Sequence, residues 1–324
     1  MNPTLSELLG IKYPVLVAPM FLVSNVKMII EALNSGVTAA FPALNYRTDS
    51  ELREAIRQIK EASDVPFGVN LIVNKSNPKY KSQLKTLLEL KVDYIITSLG
   101  SPEETIRQCK PLGIKVFCDV VDVNYAKKVE ALGADAIIAV NNRAGGHCGS
   151  LTNEQLLTDI KAACTIPVIS AGGVANSDHI KKAMELGAAG VSVGTIFLAA
   201  EEASISADYQ NALIEYGAKD IVLTTKLSGS HLTVINTPYV QSLGTKAGFW
   251  ERLMLKNKTL KKYIKLIIAF KGMRKIEKAT FKATYKTVWC AGPAIEYIKA
   301  IRPMREIVGD LVKGLPSTSL RHRE

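Results

Sequence analysis

Short, uninterrupted apolar runs alternate with amphipathic stretches over the first 203 residues. The runs are Val15 to Ala18, Val37 to Phe41, Phe67 to Val73, Tyr94 to Thr97, Lys115 to Val121, Ala136 to Val140, Pro167 to Ser170 and Gly190 to Val193. They are rich in Val and Ile and show no polar alternation, the pattern of strands buried on both faces of a parallel sheet. Between them, spacing and helix-stop residues predict helices over Asn25 to Asn34, Asp49 to Ala62, Lys79 to Leu90, Pro102 to Cys109, Asn124 to Leu132, Asn153 to Cys164 and Asp178 to Leu186, with a short one near Phe197 to Ala203. LGADAIIAV (132–140) and LGAAGVSVG (186–194) repeat one order of helix end, glycine and strand. Eight strand–helix units predict an α/β chain folded as a (β/α)8 TIM barrel. A doubly wound open sheet is the competing architecture. It more often carries a GxGxxG fingerprint after its first strand, where this chain reads APMFLVSN.

Past residue 203 the rhythm stops. Tyr209 to Leu223 holds one helix and a short apolar run, and Thr224 to Gly248 reads as loop. Phe249 to Lys286 is helical in propensity, with Tyr263, Ile264, Ile267 and Ile268 at helical spacing, so one face can pack. The expected organisation is a barrel of residues 1–209 plus about 290–324. Residues of about 210–289 form a C-terminal, mainly helical and basic cap inserted over the strand ends, and the tail from Leu315 frays.

Composition narrows the class. At 324 residues, 47% hydrophobic and 22% charged, the chain reads as a soluble globular protein with a large core. The N-terminus lacks the basic start and apolar run of a signal peptide, and the uncharged run 186–200 is too short and glycine-rich to span a bilayer, so a cytoplasmic protein is expected. Five scattered cysteines without a CxxC pair fit reduced thiols and give no zinc spacing; no metal site is expected. The net charge of +11 is concentrated: residues 251–286 hold twelve Lys or Arg against two Glu. The favoured reading of that segment is the solvated face of a cap; the alternatives are docking to an acidic carrier protein or a membrane surface. No nucleic-acid motif accompanies the charge, so no nucleic-acid partner is expected.

On a barrel, the loops after the strands converge. They bring together Ala18, Pro19 and Met20 after strand one, Asn70 on strand three, Gly145, Gly146 and His147 after strand six, Gly172 and Gly173 after strand seven, and Gly194 and Thr195 after strand eight. Glycine N–H groups after strands seven and eight, each leading into a helix, are the phosphate positions of a barrel. His147 is the candidate for chemistry, an imidazole among three glycines at a strand end. Its neighbour Cys148 reads as a pocket-lining side chain rather than a nucleophile. His231 can reach the cleft from the cap, His179 belongs on the surface, and Tyr239 and Trp289 read as packing residues.

The pieces YPVLVAPM, PFGVNL, GIKVFCDV, LGADAIIAVNNRAGGHCG, PVISAGGV and GVSVGTIFLA, in that order, resemble the nitronate monooxygenases and related FMN-dependent oxidoreductases, with WCAGP a weaker echo. The resemblance implies an FMN-binding TIM barrel. It places Ala18, Pro19 and Met20 against the isoalloxazine ring, Asn70 in a hydrogen bond to the flavin, and Gly145 and Gly146 beside it. Gly172, Gly173, Gly194 and Thr195 would hold the phosphate, with Ser192 and Val193 leading into that loop. His147 would face the substrate. The family commonly reads Gln-Gly-x-Glu before AGGH where this chain has Val140 to Arg143; Asn141 or Asn142 is expected to stand in for the missing glutamine. The implied activity is oxidation of a small-molecule alkyl nitronate by O2 to a carbonyl compound and nitrite. The alternative is an NAD(P)H-dependent flavin reductase of the enoyl-acyl-carrier-protein or quinone reductase type.

Overall fold

The computed structural model describes residues 2–74, 77–225, 231–245 and 288–318. Eight parallel strands close a barrel: β1 (Val15–Val17), β2 (Thr38–Pro42), β3 (Gly68–Ile72), β4 (Tyr94–Ser98), β5 (Lys115–Val120), β6 (Ala136–Val140), β8 (Val168–Ala171) and β9 (Gly190–Val193). The barrel closes where β1 pairs with β9, Leu16 opposite Ser192. Every apolar run predicted as a strand is one. Between them run α2 (Val26–Asn34), α3 (Asp49–Ala62), α4 (Tyr80–Glu89), α5 (Glu103–Cys109), α6 (Val123–Ala131), α7 (Asn153–Ala163) and α8 (Ser177–Glu185).

Two layers of apolar side chains account for this fold. Outward-facing strand residues pack under the helices, whose buried positions recur every three or four residues. In α3 these are Leu52, Ala55, Ile56 and Ile59, behind a capping box formed by Thr48 and Glu51. Inward-facing residues, among them Leu16, Ala40, Tyr94, Ile96, Phe117, Ile138 and Ile169, fill the lumen. The helix α1 (Leu5–Leu9) joins that layer through Leu5 and Leu9. The Tyr94 ring stacks on Phe117 at 4.8 Å and occupies the space a Cβ on Gly68 would need. The lumen is thus solid at its N-terminal end, and the open space lies at the C-terminal ends of the strands.

The segment after the barrel brings an element that its sequence does not announce. After α9 (Ala207–Glu215), strands β10 (Ile221–Thr224) and β11 (Leu232–Ile235) pair antiparallel, and β11 pairs with β7, the dipeptide Gly146–His147. Two residues have no periodicity to read, so this strand exists only through its partner. A short helix, Pro238–Leu243, follows. The chain then returns: Trp289 stacks on Tyr209 at 5.4 Å, Ala291 and Ile295 are buried, and the helix Met304–Leu311 packs against α2. The basic run 251–286, with the helix expected there, lies outside the described residues. Among the described residues no helix is long and apolar enough to cross a membrane.

Candidate active site

A cavity of about 970 Å³ opens at the C-terminal mouth of the barrel. The strand-end residues expected to converge line it: Ala18, Pro19 and Met20 from the loop after β1, Asn70 from β3, Gly145, Gly146 and His147 after β6, Gly172 and Gly173 after β8, and Ser192, Val193, Gly194 and Thr195 at the end of β9. Most of its wall is apolar.

The loop bearing His147 is held from three sides. From below, the fully buried Asn141 ties it to the loop after β8. Its Nδ2 donates to the Gly172 carbonyl (3.0 Å) and to Asn153 Oδ1 (3.2 Å), and its Oδ1 accepts from the Arg143 N–H (2.8 Å). Gly172 approaches that amide so closely that a Cβ would lie 2.3 Å from Asn141 Oδ1, and its φ of +115° also excludes most L side chains. From the return segment, Gly292 donates its N–H to Thr195 Oγ1 (3.0 Å) and packs against Gly145, with no room for a Cβ on either residue. From the other side, β11 supplies Leu232 opposite His147, and Thr233 Oγ1 donates to the Ala144 carbonyl (2.5 Å).

His147 therefore has a fixed backbone and a side chain that is solvent-accessible through the open cavity, with the walls of the barrel mouth around it. Burial pushes its imidazole below the usual histidine range. At neutral pH the ring carries no charge and can accept a proton. Cys148 lines the cavity beside it, its N–H facing the His231 carbonyl (3.3 Å), and burial pushes its thiol up. A protonated thiol is a poor nucleophile, which agrees with the lining role. His231 does enter the cavity wall, and Tyr209 lines it while donating to the Cys290 carbonyl (2.6 Å).

Three expectations change. Asn141 and Asn142 do not line the cavity; Asn141 is used entirely in joining two loops, and Asn142 is exposed. No asparagine replaces the glutamine of the resembling family at that place. His179 is half-buried rather than on the surface: its Nδ1 accepts from the Ala175 N–H (3.2 Å) and its ring meets Tyr297 edge-on at 5.3 Å. The third change is a polar chain on the cavity floor that sequence reasoning passed over. Asn70 Nδ2 donates to Ser98 Oγ (2.6 Å), which donates to Asp119 Oδ2 (2.5 Å). Burial pushes Asp119 up to about 6, partly offset by the Ser98 hydrogen bond. The available signal was an acidic residue inside the apolar run KVFCDVV, at a strand's C-terminal end.

Comparison with known proteins adds four findings. The family model described as nitronate monooxygenase matches residues 74–314. A (3aS,4S,5R,7aS)-5-hydroxy-7a-methyl-1-oxo-octahydro-1H-indene-4-carboxyl-CoA dehydrogenase from Rhodococcus jostii (strain RHA1) is 31% identical over 243 residues, 75% of this chain and 68% of that protein. A probable nitronate monooxygenase from Staphylococcus haemolyticus (strain JCSC1435) is 28% identical over 287 residues, 75% of this chain and 80% of its own length. Among solved structures, FabK from Thermotoga maritima superimposes with a TM-score of 0.82 at 27% identity, covering 97% of this chain and 96% of that one.

Proposed function

The chain belongs to the nitronate monooxygenase family and is an oxidoreductase, and from that premise we propose that it holds FMN in the barrel mouth and oxidises alkyl nitronates with O2 to carbonyl compounds and nitrite. The observation that carries the cofactor reading is Gly194. Its φ of −118° is open to any residue, and a Cβ there would touch only Ala18 Cβ at 3.6 Å and Met20 Sδ at 3.8 Å, ordinary contacts. Neither backbone strain nor packing calls for glycine. What a side chain would take is the space of a ligand lying against the strand end.

In this reading the N–H groups of Gly172, Gly173, Gly194 and Thr195 receive a phosphate, uncharged donors at the strand ends suited to an anion. Ala18, Pro19 and Met20 give a flat ring an apolar face, Asn70 meets its polar edge, and Gly145, Gly146, Ser192 and Val193 border it. FMN, when bound, supplies the electron transfers that side chains cannot perform. His147 does the proton chemistry: its neutral imidazole takes the proton from the carbon bearing the nitro group, and the imidazolium then remains beside the anionic nitronate.

A second reading, an NAD(P)H-linked reductase or dehydrogenase acting on an acyl thioester, is favoured by the size and apolar lining of the cavity and by the 31% identical CoA-ester dehydrogenase. With it goes the proposal that the basic run 251–286, on a cap spanning about 210–289, docks an acidic carrier protein. The deciding experiment is anaerobic mixing of the purified holoprotein with each reductant. The nitronate reading expects a released flavin identified as FMN and rapid bleaching by alkyl nitronate alone. Bleaching by NADH, NADPH or an acyl-CoA, with none by nitronate, would replace it with the second reading.

A further inference from the structure

We propose that Asp119 is a positioning residue which, acting through Ser98, holds the amide of Asn70 with its carbonyl oxygen toward the cavity, so that the site selects a ligand edge that donates a hydrogen bond, as a ring N–H does.

The geometry is a relay with few degrees of freedom. Asp119 lies near the C-terminal end of β5, opposite Ile138 of β6, and lines the cavity. Its Oδ2 accepts from Ser98 Oγ at 2.5 Å. An ionised carboxylate has no proton to give, so the Ser98 hydrogen is committed to it. Ser98 Oγ is then an acceptor, and at 2.6 Å it faces Asn70 Nδ2, not Oδ1. The same Nδ2 also reaches the Ile96 carbonyl, at 3.3 Å. Asn70 Oδ1 accepts no hydrogen bond from the described residues, yet it is not among their sealed, unsatisfied atoms. It is therefore open to the cavity, and a group brought against it must be a donor.

Protonation of Asp119 removes the constraint. The carboxyl can then donate to Ser98, whose hydroxyl is released to donate to Asn70 Oδ1, and the amide can turn its NH2 to the cavity. Burial, which raises the carboxyl toward 6, brings this change into an accessible pH range. The groups around Asp119 are few. Ser98 faces it from β4 and Tyr125 from α6; Cys118 is its neighbour on β5; His147 and Asp122 line the same cavity. Among the described residues no lysine or arginine acts on it. The longer bond to the Ile96 carbonyl opposes the turn, so the expected effect on a ligand is several-fold and not all-or-none.

That the ligand is FMN rests on the function proposed above; that Asp119 governs the amide does not. The test uses the full chain in two arms. In the first, the side-chain amide of Asn70 is followed by NMR from pH 5 to 8, assigned by its loss in Asn70→Asp. Its shift should titrate with the carboxyl of Asp119, keep that titration in His147→Asn, and lose it in both Asp119→Asn and Ser98→Ala. A signal that stays flat in the wild type, or titrates unchanged in the folded Ser98→Ala variant, overturns the proposal. In the second arm, FMN affinity should fall about fivefold as the pH drops through the same midpoint, the worth of roughly one hydrogen bond. In Ser98→Ala it should be weak at all pH values; affinity that is independent of pH in the wild type also counts against the proposal. If the amide titrates as expected but FMN binds at no pH, the relay stands and the cofactor reading fails.

Discussion

A methyl group at Gly194 would meet nothing closer than 3.6 Å, so Gly194→Ala should fold as well as the parent, with a thermal midpoint unchanged or slightly raised. If the strand end is a phosphate cradle, FMN affinity should nevertheless fall by about tenfold or more, roughly 1.4 kcal/mol. Equal affinity in a fluorescence titration would leave Gly194 without a ligand role. His147 gives the second prediction at this scale. Its pKa is lowered by burial, so the neutral form is complete above its depressed value and protonation switches the base off below it. The kcat/KM for a neutral nitroalkane should rise with pH to a plateau, with a midpoint below the usual 6.5 of histidine. His147→Asn should lose about 100-fold or more on that substrate, lose far less on a preformed nitronate, and keep its flavin. Equal losses on both substrates would argue against a proton-abstracting role.

Elements, more than single residues, explain how the loop after β6 is held. It is clamped by Asn141 below, by the return segment at Gly292, and by β11 pairing with Gly146–His147. Asn141→Ala removes hydrogen bonds to Gly172, Asn153 and the Arg143 N–H, leaving buried polar groups without partners. A loss of about 1–3 kcal/mol is expected, seen as a fall in the thermal midpoint, together with weaker FMN binding because two cavity loops lose their tie. A variant with normal stability and affinity would mean that the remaining contacts suffice. The strand propensities of β10 and β11 are real but short; four residues each cannot announce a sheet until a partner edge is in place.

At the scale of the whole molecule the two ends of the barrel divide their tasks. The N-terminal end is plugged by α1, whose Leu5 is fully buried against the lumen layer, while the C-terminal end carries the cavity. Leu5→Ala should therefore cost about 2–5 kcal/mol in stability and leave FMN affinity and the pH profile unchanged at a temperature where the chain remains folded. A change in cofactor affinity without unfolding would show that the two ends communicate.

The barrel was legible because its signal is local and repeated. Eight Val/Ile-rich runs, seven long amphipathic intervals and their caps each carry their own periodicity, and parallel strands need the helical crossovers that the pattern supplies. The loop positions followed from that count, so Ala18, Asn70, His147, Gly172 and Gly194 could be placed at one mouth before any side chain was positioned. What the linear chain left open depends on neighbours far apart in sequence. Asp119 looked like one acidic residue in a strand until Ser98 and Asn70 were brought beside it, from 21 and 49 positions away. Asn141 looked available to a ligand until Gly172 approached within reach of its amide. The two-residue strand at His147 exists only because β11 lies against it. Sequence determined the periodic elements and their order because hydrophobic spacing acts within a few residues. Only the tertiary structure decided which polar groups meet and which are left facing the cavity, because hydrogen-bond partners are chosen by distance in space.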